Sequence, residues 1–160
     1  MLMKMKMDKV VISLGGSLIH PESGIDVDFL KKFRNLVEKY LPKKFVIVCG
    51  GGKLARNYVA AAKALGAPTD EELDWVGIRA TQQNAELVKC MLGDFAYDQV
   101  VVNPNKKIRT SKKVIVAGGW KPGWSTDMDA ILLAKNIGAK LVINLSNTDH
   151  VYTKDDYENN

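Results

Sequence analysis

Two cationic side chains follow a run of three glycines near the middle of the chain. Gly50–Gly52 come directly after the apolar run Phe45–Cys49, and Lys53 and Arg56 follow them three residues apart. Glycines let a backbone approach a ligand closely, and the free N–H groups of a first helical turn favour an anion. Residues three apart on a helix lean over the same turn. The stretch favours a phosphate site, and the alternative is a tight turn whose glycines serve geometry only.

The same pattern of an apolar run ending in glycine occurs three times. The runs end in Gly15-Gly16-Ser17, in Gly50–Gly52 and in Gly118-Gly119. Parallel strands end at the same edge of a sheet, and open α/β sheets bind ligands at the carboxyl ends of their strands. We therefore expect the three turns to line one crevice. None of them has the spacing of a Walker A loop or of the Gly-x-Gly-x-x-Gly fingerprint.

A fourth stretch, which follows the third glycine turn, combines glycine and proline with side chains that can bind. It carries Trp120, Lys121 and Trp124, and then the hydroxyl residues Ser125 and Thr126. Such a loop at the carboxyl end of a strand is more typical of a binding loop than of a linker. Either hydroxyl residue can cap the next helix, whose N-terminus would be a second site for phosphate.

The elements that must position these residues alternate between strand and helix. The sequence predicts one α/β domain over residues 1–160, with a mostly parallel central sheet and helices on both faces. Asp26 or Asp28 can cap a helix that runs to about Leu41, and Thr69 with Glu72 forms a capping box. Predicted strands cover residues 9–14, 45–49, 99–102, 114–117 and 140–145, and helical stripes include Leu54, Tyr58, Ala61, Ala62 and Leu65.

Composition narrows the function classes. The chain has 160 residues and a net charge of +5, which suits an anionic ligand. Because its lysines are dispersed and not interleaved with aromatic residues, we expect no nucleic-acid partner. Cys49 and Cys90 form neither a disulfide framework nor a metal motif, so a reducing cytoplasm is the expected location. We find no signal peptide and no run long enough to span a membrane.

Taken in order, these pieces resemble the amino-acid kinase family, and within it the archaeal-type uridylate (UMP) kinases. The matching pieces run in family order along nearly the whole chain: Gly15-Gly16-Ser17, 50–56, 74–78 with Asn84-Ala85, Gly118-Gly119 with Pro122-Gly123 and 125–127, and 147–155. The resemblance implies a three-layer sandwich fold. It implies transfer of the γ-phosphoryl group of ATP to UMP, giving UDP in pyrimidine nucleotide biosynthesis, with Mg²⁺ carried mainly by the phosphates.

The resemblance also assigns roles to individual residues. Catalytic roles fall to Lys53, Arg56 and Asp127, and no protein ligand to a metal is implied. UMP contacts fall to Gly51, Asp74, Trp120, Lys121, Pro122, Gly123, Trp124, Ser125 and Thr126. ATP contacts fall to Gly16, Ser17, Gly52, Arg56, Ser146, Asn147, Tyr152 and Asp155. The family is cytoplasmic and oligomeric, so we expect a homo-oligomer, a hexamer by resemblance, with the helix from Asp26 to Leu41 as a candidate contact face.

Four residues depart from the family pattern. Ser13 stands where many members carry a strand-one lysine, and Trp124 replaces a small residue or histidine. His150 replaces a glycine, and Asp156 replaces a proline. The identity of the catalytic cation is therefore open.

Family members also continue beyond the point where Asn160 ends this chain. We expect the acceptor half to be present and the donor half to lack its C-terminal part. Because the strand 140–145 is apolar on both faces, we expect it to be central and to need neighbours. The chain should then self-associate or need a partner segment, and bind ATP less well than UMP. Two alternatives stay open: a nucleotide-binding fragment or subunit without turnover, and a family kinase for another small phosphate or carboxylate.

Overall fold

The computed structural model describes residues 9–148, which fold around one parallel sheet. The strands are β1 (Lys9–Leu14), β2 (Lys44–Cys49), β3 (Val114–Ala117) and β4 (Leu141–Leu145). The helices are α1 (Gly16–Ile19), α2 (Val27–Lys39), α3 (Gly52–Ala64), α4 (Asp70–Leu92) and α5 (Thr126–Ile137), with a short 3₁₀ turn at Gly93–Phe95. No helix in this part of the chain is long and apolar enough to cross a membrane.

The strand order β3-β2-β1-β4 puts the carboxyl ends of all strands on one edge. Each pairing is parallel, with Ile12 opposite Ile47 on one side and Ile143 on the other. On the far side of β2, Val46 pairs with Ile115. The predicted mostly parallel sheet is confirmed, and the glycine turns after β1, β2 and β3 all leave the same edge.

Helices cover the sheet on two faces, as the sequence predicts. On one face, Phe33 of α2 and Val88 of α4 pack in a core with Ile47. On the other face, Leu133 of α5 packs in a core with Val46. The alternation of side chains along each strand separates the two cores. The result is three layers, with α2 and α4 on one side of the sheet and α5 on the other.

Side-chain caps fix where the long helices begin. Asp26 accepts a hydrogen bond of 2.8 Å from the N–H of Phe29, so it is Asp26 that caps α2. Thr69 caps α4 by accepting from the N–H of Glu72 and donating to its carboxylate. Ser125 caps α5 by accepting from the N–H of Met128 at 3.2 Å. These caps satisfy N–H groups that helix geometry leaves without partners.

One predicted strand is wrong, and one correctly predicted helix does not bury its apolar stripe. Residues 99–102 do not form a strand; Val101 alone makes a bridge, to Ala117, and the next residue, Val102, is exposed. Helix α3 buries none of its residues, and Leu65, which follows it, is 88% exposed. The reason is that α3 lies against α4 and α1, outside the layer of helices that covers the sheet. Its apolar stripe therefore does not face a core.

Strand β4 differs from expectation in its position. Within residues 9–148 it has a strand neighbour, β1, on one side only, so it lies at the edge of the sheet. Its side chains are correspondingly uncovered, with Leu141 49% and Ile143 37% exposed. Both faces of β4 are apolar, but the prediction that the strand is central is wrong for the described sheet.

Candidate functional site

A cleft of about 420 Å³ opens at the carboxyl edge of the sheet. Three segments line it: the turn after β2 with the start of α3, one face of α4, and the loop between β3 and α5. The lining residues are Gly51, Gly52, Ala55, Arg56, Val59, Leu73, Asp74, Gly77, Ile78, Thr81, Gly119, Lys121, Trp124, Ser125 and Thr126. The structure thus brings together residues that the sequence singles out from three separate motifs.

The floor of the cleft is the glycine turn after β2, whose Gly51 and Gly52 line it and which packs against the buried Gly16 of the turn after β1. A Cβ on Gly16 would lie 2.6 Å from the carbonyl carbons of Gly50 and Gly51, closer than real Cβ contacts allow. Gly52 has a φ of +59°, and a Cβ there would lie 2.8 Å from the carbonyl oxygen of His20. Only glycine fits both positions. The backbone of each turn therefore fills the space that a side chain on the other would need, at the N-terminus of α3.

Buried polar side chains of α4 hold the glycine turns in place. Asn84 is 2% exposed and donates from Nδ2 to the carbonyl oxygens of Gly50 and Gly51, at 2.9 and 3.1 Å. Thr81 accepts from the N–H of Gly119 at 2.7 Å and donates to the Ile78 carbonyl. Neighbouring Gln82 donates to the carbonyl of Gly119 at 2.9 Å. Helix α4 thus ties the second and third glycine turns to each other.

The sequence reading missed Thr81 and Gln82 and left the role of Asn84 open. All three are polar residues inside an otherwise apolar helical stretch, which is the signal that was available. That signal is weak, because a polar residue in an amphipathic helix is usually explained by a solvent-facing side. Here Thr81 and Asn84 are buried, and their partners are backbone groups of the turns.

Asp74 marks the outer end of the cleft. Its Oδ2 accepts a hydrogen bond of 2.8 Å from the N–H of Gly123, so it tethers the loop before α5. Asp74, Gly77, Ile78 and Thr81 share one face of α4 and line the cleft. Thr81 is seven positions after Asp74, which corresponds to a rise of about 10 Å along the helix. The cleft is therefore elongated, with Gly51 and Gly52 at one end and Asp74 at the other.

Lys53 and Arg56 both contact the carboxylate of Glu22. The Lys53 Nζ lies 2.7 Å from Glu22, and the Arg56 guanidinium lies 3.9 Å from it. The guanidinium is mostly exposed, and Arg56 lines the cleft, whereas Lys53 is not part of the lining. Glu22 lies in the loop between α1 and α2. In this arrangement it holds both cations beside the first turn of α3, where an anion would compete for them.

The loop before α5 places a lysine between two indole rings. The Nζ of Lys121 lies 4.3 Å from the ring centroid of Trp120 and 4.6 Å from that of Trp124. The two rings meet edge to face, with centroids 5.3 Å apart. Pro122 and Gly123 form the tip of the turn, and Gly123 has a φ of +76°. Of the predicted UMP residues, Trp120, Pro122 and Gly123 are the ones that do not line the cleft.

Asp129 anchors the beginning of this loop from beneath. It is 1% exposed, and its Oδ2 accepts from the N–H of Trp120 at 3.2 Å. Its Oδ1 has no hydrogen-bond partner within residues 9–148. Burial raises the pKa of the Asp129 carboxyl, and the hydrogen bond from Trp120 opposes that rise. The sequence reading did not single out Asp129, because an acidic residue in a first helical turn has an ordinary explanation.

Asp127 lies at the ends of β1 and β4. Its Oδ1 accepts from the hydroxyl of Ser13 at 2.6 Å and from Nδ2 of Asn144 at 3.4 Å. Within the described part of the chain its carboxylate makes no ion pair with Lys53 or Lys121. Ser13, at the position of the strand-one lysine in many family members, is thus a hydrogen-bond donor to Asp127. The proposed organising role of Asp127 stays a prediction.

The residues predicted to contact ATP lie beside the floor of the cleft, toward β4. Gly16 and Ser17 begin α1, and Gly52 begins α3. The N–H of Gly15 donates to the carbonyl of Leu145 at 2.7 Å, which brings the end of β4 next to them. Ser146 and Asn147 follow directly, and the hydroxyl of Ser146 is bonded to that of Thr148. Tyr152 and Asp155 lie outside the described residues.

Comparisons with known proteins show the family of the chain. The sequence profile of the Amino acid kinase family matches residues 8–160. A uridylate kinase of Methanoregula boonei is 38% identical over 160 residues, covering 93% of this chain and 64% of that protein. A uridylate kinase of Thermococcus onnurineus is 38% identical over 154 residues, covering 94% of this chain and 68% of that protein. The chain therefore spans about two thirds of the length of these relatives.

Two solved structures share the fold. The crystal structure of uridylate kinase from Archaeoglobus fulgidus matches with a TM-score of 0.78 and 37% identity, covering 92% of this chain and 67% of that one. The structure of UMP kinase from Bacillus anthracis matches with a TM-score of 0.68 and 19% identity, covering 95% of this chain and 70% of that one. The second likeness supports the fold alone.

Proposed function

The chain belongs to the amino acid kinase family, and we propose that its cleft binds UMP as the acceptor of the γ-phosphoryl group of ATP, giving UDP. The observation that carries this proposal is the two-ended cleft. Its inner end offers backbone N–H groups and a guanidinium, and its outer end offers a carboxylate about 10 Å away along α4. This division suits a phosphate joined to a polar sugar. The relatives are named uridylate kinases, and for this reason we propose UMP as the nucleotide.

The inner end suits the phosphate of the acceptor. Gly51 and Gly52 expose backbone at the N-terminus of α3, where the helix dipole favours negative charge. Arg56 lines the same end and presents a planar set of donors that matches phosphate oxygens. An incoming phosphate would compete with Glu22 for Arg56. This competition favours binding of a doubly charged anion over a singly charged one.

The outer end suits the sugar. Asp74 accepts hydrogen bonds, and ribose hydroxyls donate them. Asp74 accepts from the N–H of Gly123, which leaves further lone pairs on the carboxylate for a hydroxyl. Asp74 would then hold the loop and the ribose at once. A nucleotide in the cleft would therefore be contacted by α4 on one side and by this loop on the other.

The donor is proposed to enter beside the floor, against Gly16, Ser17, Gly52, Ser146 and Asn147, with Tyr152 and Asp155 from outside the described residues. Gly52 carries no side chain and begins α3, so its backbone suits close approach by a phosphate. Within residues 9–148 no group of three His, Cys, Asp or Glu side chains is placed to hold a metal ion. A Mg²⁺ supplied with the nucleotide would neutralise phosphate charge.

Phosphoryl transfer requires the protein chiefly to position the two nucleotides and to stabilise charge on the transferred group. Arg56 and Lys53 stand at the junction between the acceptor end and the donor side, beside the first turn of α3. We assign them the stabilisation of that charge. Asp127, bonded to Ser13 and Asn144, is assigned the positioning of the ends of β1 and β4 against the donor.

A coupled assay of ADP release tests the proposal, with UMP, with CMP and without acceptor. We expect ADP release that depends on UMP. ADP release that is the same with and without UMP would contradict an acceptor role for UMP.

A second candidate function is favoured by the exposed apolar residues of β4. The chain would bind UMP without turning it over until another polypeptide covers that strand. Saturable UMP binding without UMP-dependent ADP release would select this candidate.

A further inference from the structure

Lys121 is held in the wall of the cleft without an acceptor for its hydrogen-bond donors. Its Nζ lies over both Trp120 and Trp124, at 4.3 and 4.6 Å from the ring centroids. Within residues 9–148 no oxygen accepts a hydrogen bond from it and no carboxylate pairs with it. An ammonium group carries three N–H donors and no acceptor. These donors are therefore available to a ligand in the cleft.

The turn that carries Lys121 belongs to the outer end of the cleft. The N–H of Trp124 donates to the carbonyl of Lys121 at 3.3 Å, which closes the turn. The tip of that turn, Gly123, is bonded to Asp74. Asp74 lies about 10 Å along α4 from Thr81, the residue that lies between Gly51 and Gly119 at the floor. Lys121 is therefore placed near the far end of a nucleotide whose phosphate lies at Gly51 and Gly52.

The indole pair, Trp120 and Trp124, sets the direction of the lysine. Cation–π attraction to two rings restricts a side chain that is otherwise free to rotate about four bonds. The backbone N–H of Trp120 donates to the buried carboxylate of Asp129, which fixes the position of Trp120 in the loop. A donor that is positioned before the ligand arrives loses less conformational entropy on binding. The ammonium group of Lys121 is thus positioned before a ligand binds, as expected of a group that recognises a single ligand atom.

We propose that Lys121 is a specificity-determining residue that donates a hydrogen bond to the carbonyl oxygen at position 4 of a uracil base, and so selects UMP over CMP. This inference rests on the proposed function, because it requires the acceptor to enter with its phosphate at the inner end. Uracil presents a carbonyl oxygen at position 4, where cytosine presents an amino group. A donor-only ammonium can donate to that oxygen, but in cytosine it meets the amino group, a second donor, and the mismatch leaves both groups unpaired.

Calorimetric titrations of the whole chain with UMP, CMP and ribose 5-phosphate test this inference. We expect the unaltered protein to bind UMP more tightly than CMP. Lys121→Met keeps the length of the side chain and removes its donors. It should weaken UMP binding about tenfold to a hundredfold, the range for a hydrogen bond to a charged group. It should leave the affinity for ribose 5-phosphate unchanged, because that ligand lacks a base.

Lys31→Met is the matched control. Lys31 is exposed on α2, outside the lining of the cleft, and its substitution changes the net charge equally. It should alter none of the three affinities. An unaltered preference for UMP over CMP in Lys121→Met would overturn this inference alone, as would an equal loss of affinity for ribose 5-phosphate. Failure of the unaltered protein to bind UMP would overturn the proposed function as well.

Discussion

The cleft lies at the ends of β2 and β3, and the β4 edge lies beyond β1. The two regions differ in how many of their polar and apolar groups are covered by other parts of the chain. In the cleft, backbone groups of the glycine turns are bonded to side chains of α4, and Asn84 and Thr81 are buried in doing so. Along β4, both faces carry apolar side chains that are 37–49% exposed from Leu141 to Ile143. The cleft is self-supporting within the described residues, whereas β4 is not.

An apolar groove accompanies the exposed strand. It has a volume of about 290 Å³ and runs between α2 and β4, with Leu36, Tyr40, Leu141 and Ile143 among its walls. The backbone of β4 also has a free edge within residues 9–148. Apolar side chains beside a free strand edge favour association with another polypeptide. Within the described residues the cleft is therefore held by buried hydrogen bonds, whereas the β4 side exposes an apolar groove and an unpaired strand edge.

The largest effect is expected from a methyl group at the interlocked turns. Gly16→Ala would press a Cβ against the backbone of Gly50–Gly52, which cannot move aside as a side chain does. We expect a loss of about 3 kcal/mol in the free energy of unfolding, at the upper end for overpacking, measured by urea denaturation. Gly77→Ala is the control, because its Cβ would meet only a Val59 methyl at 3.5 Å. Equal effects of the two substitutions would show that the turns are not interlocked.

The second effect concerns charge at the inner end of the cleft. Arg56→Ala removes the guanidinium that lines the cleft and should lower kcat/KM for UMP by on the order of a hundredfold. The coupled ADP-release assay measures it in any form of the protein that turns UMP over. Lys63→Ala, on the same helix but exposed and outside the lining, removes the same charge as a control. Near-unchanged kinetics of Arg56→Ala would refute the role.

The third effect separates the two ends of the cleft. Asp74→Asn keeps an oxygen that can accept from Gly123 but removes the negative charge that favours ribose hydroxyls. UMP affinity should fall about tenfold, and ATP affinity should not change. Asp70→Asn, in the exposed first turn of the same helix, is the control. Equal weakening of UMP and ATP, measured by calorimetry, would point to a general defect of the fold.

The smallest effect is expected at β4. Ile143→Lys places a charge on the uncovered face and should weaken self-association of the chain several-fold, as sedimentation velocity would show. Val102→Lys is the control, because Val102 is similarly exposed but lies near β3, at the opposite edge of the sheet from β4. If the unaltered chain is monodisperse and monomeric, the β4 edge does not drive association.

The sequence predicted well those features that depend on residues close together in the chain. The helix caps follow from residue types over a few positions: Thr69 caps as predicted, and Asp26 and Ser125 are the residues used where the sequence offered two candidates. The glycine turns also end their strands as predicted, although the turn after β1 does not line the cleft. The parallel sheet followed from the alternation of strand and helix. These features depend on neighbours in sequence, which a single sequence displays.

The remaining features depend on neighbours in space. The stripe on α3 has helical periodicity, but periodicity does not tell what the stripe faces, and α3 lies outside the core. Thr81 and Gln82 act on Gly119, 37 or 38 residues away, which no local pattern indicates. Val101 contributes a single bridge because pairing ends at once on both sides of it. The apolar faces of β4 indicated that it needs cover, without indicating what supplies it.

Parallel titrations of the unaltered chain with UMP and with ATP test the central claim most directly. The account predicts saturable binding of one UMP per chain, lost in Arg56→Ala, and distinctly weaker binding of ATP, because the donor side borders the uncovered β4. ATP binding that is as tight as UMP binding would contradict the difference between the two regions. Absence of saturable UMP binding would contradict the assignment of the cleft itself.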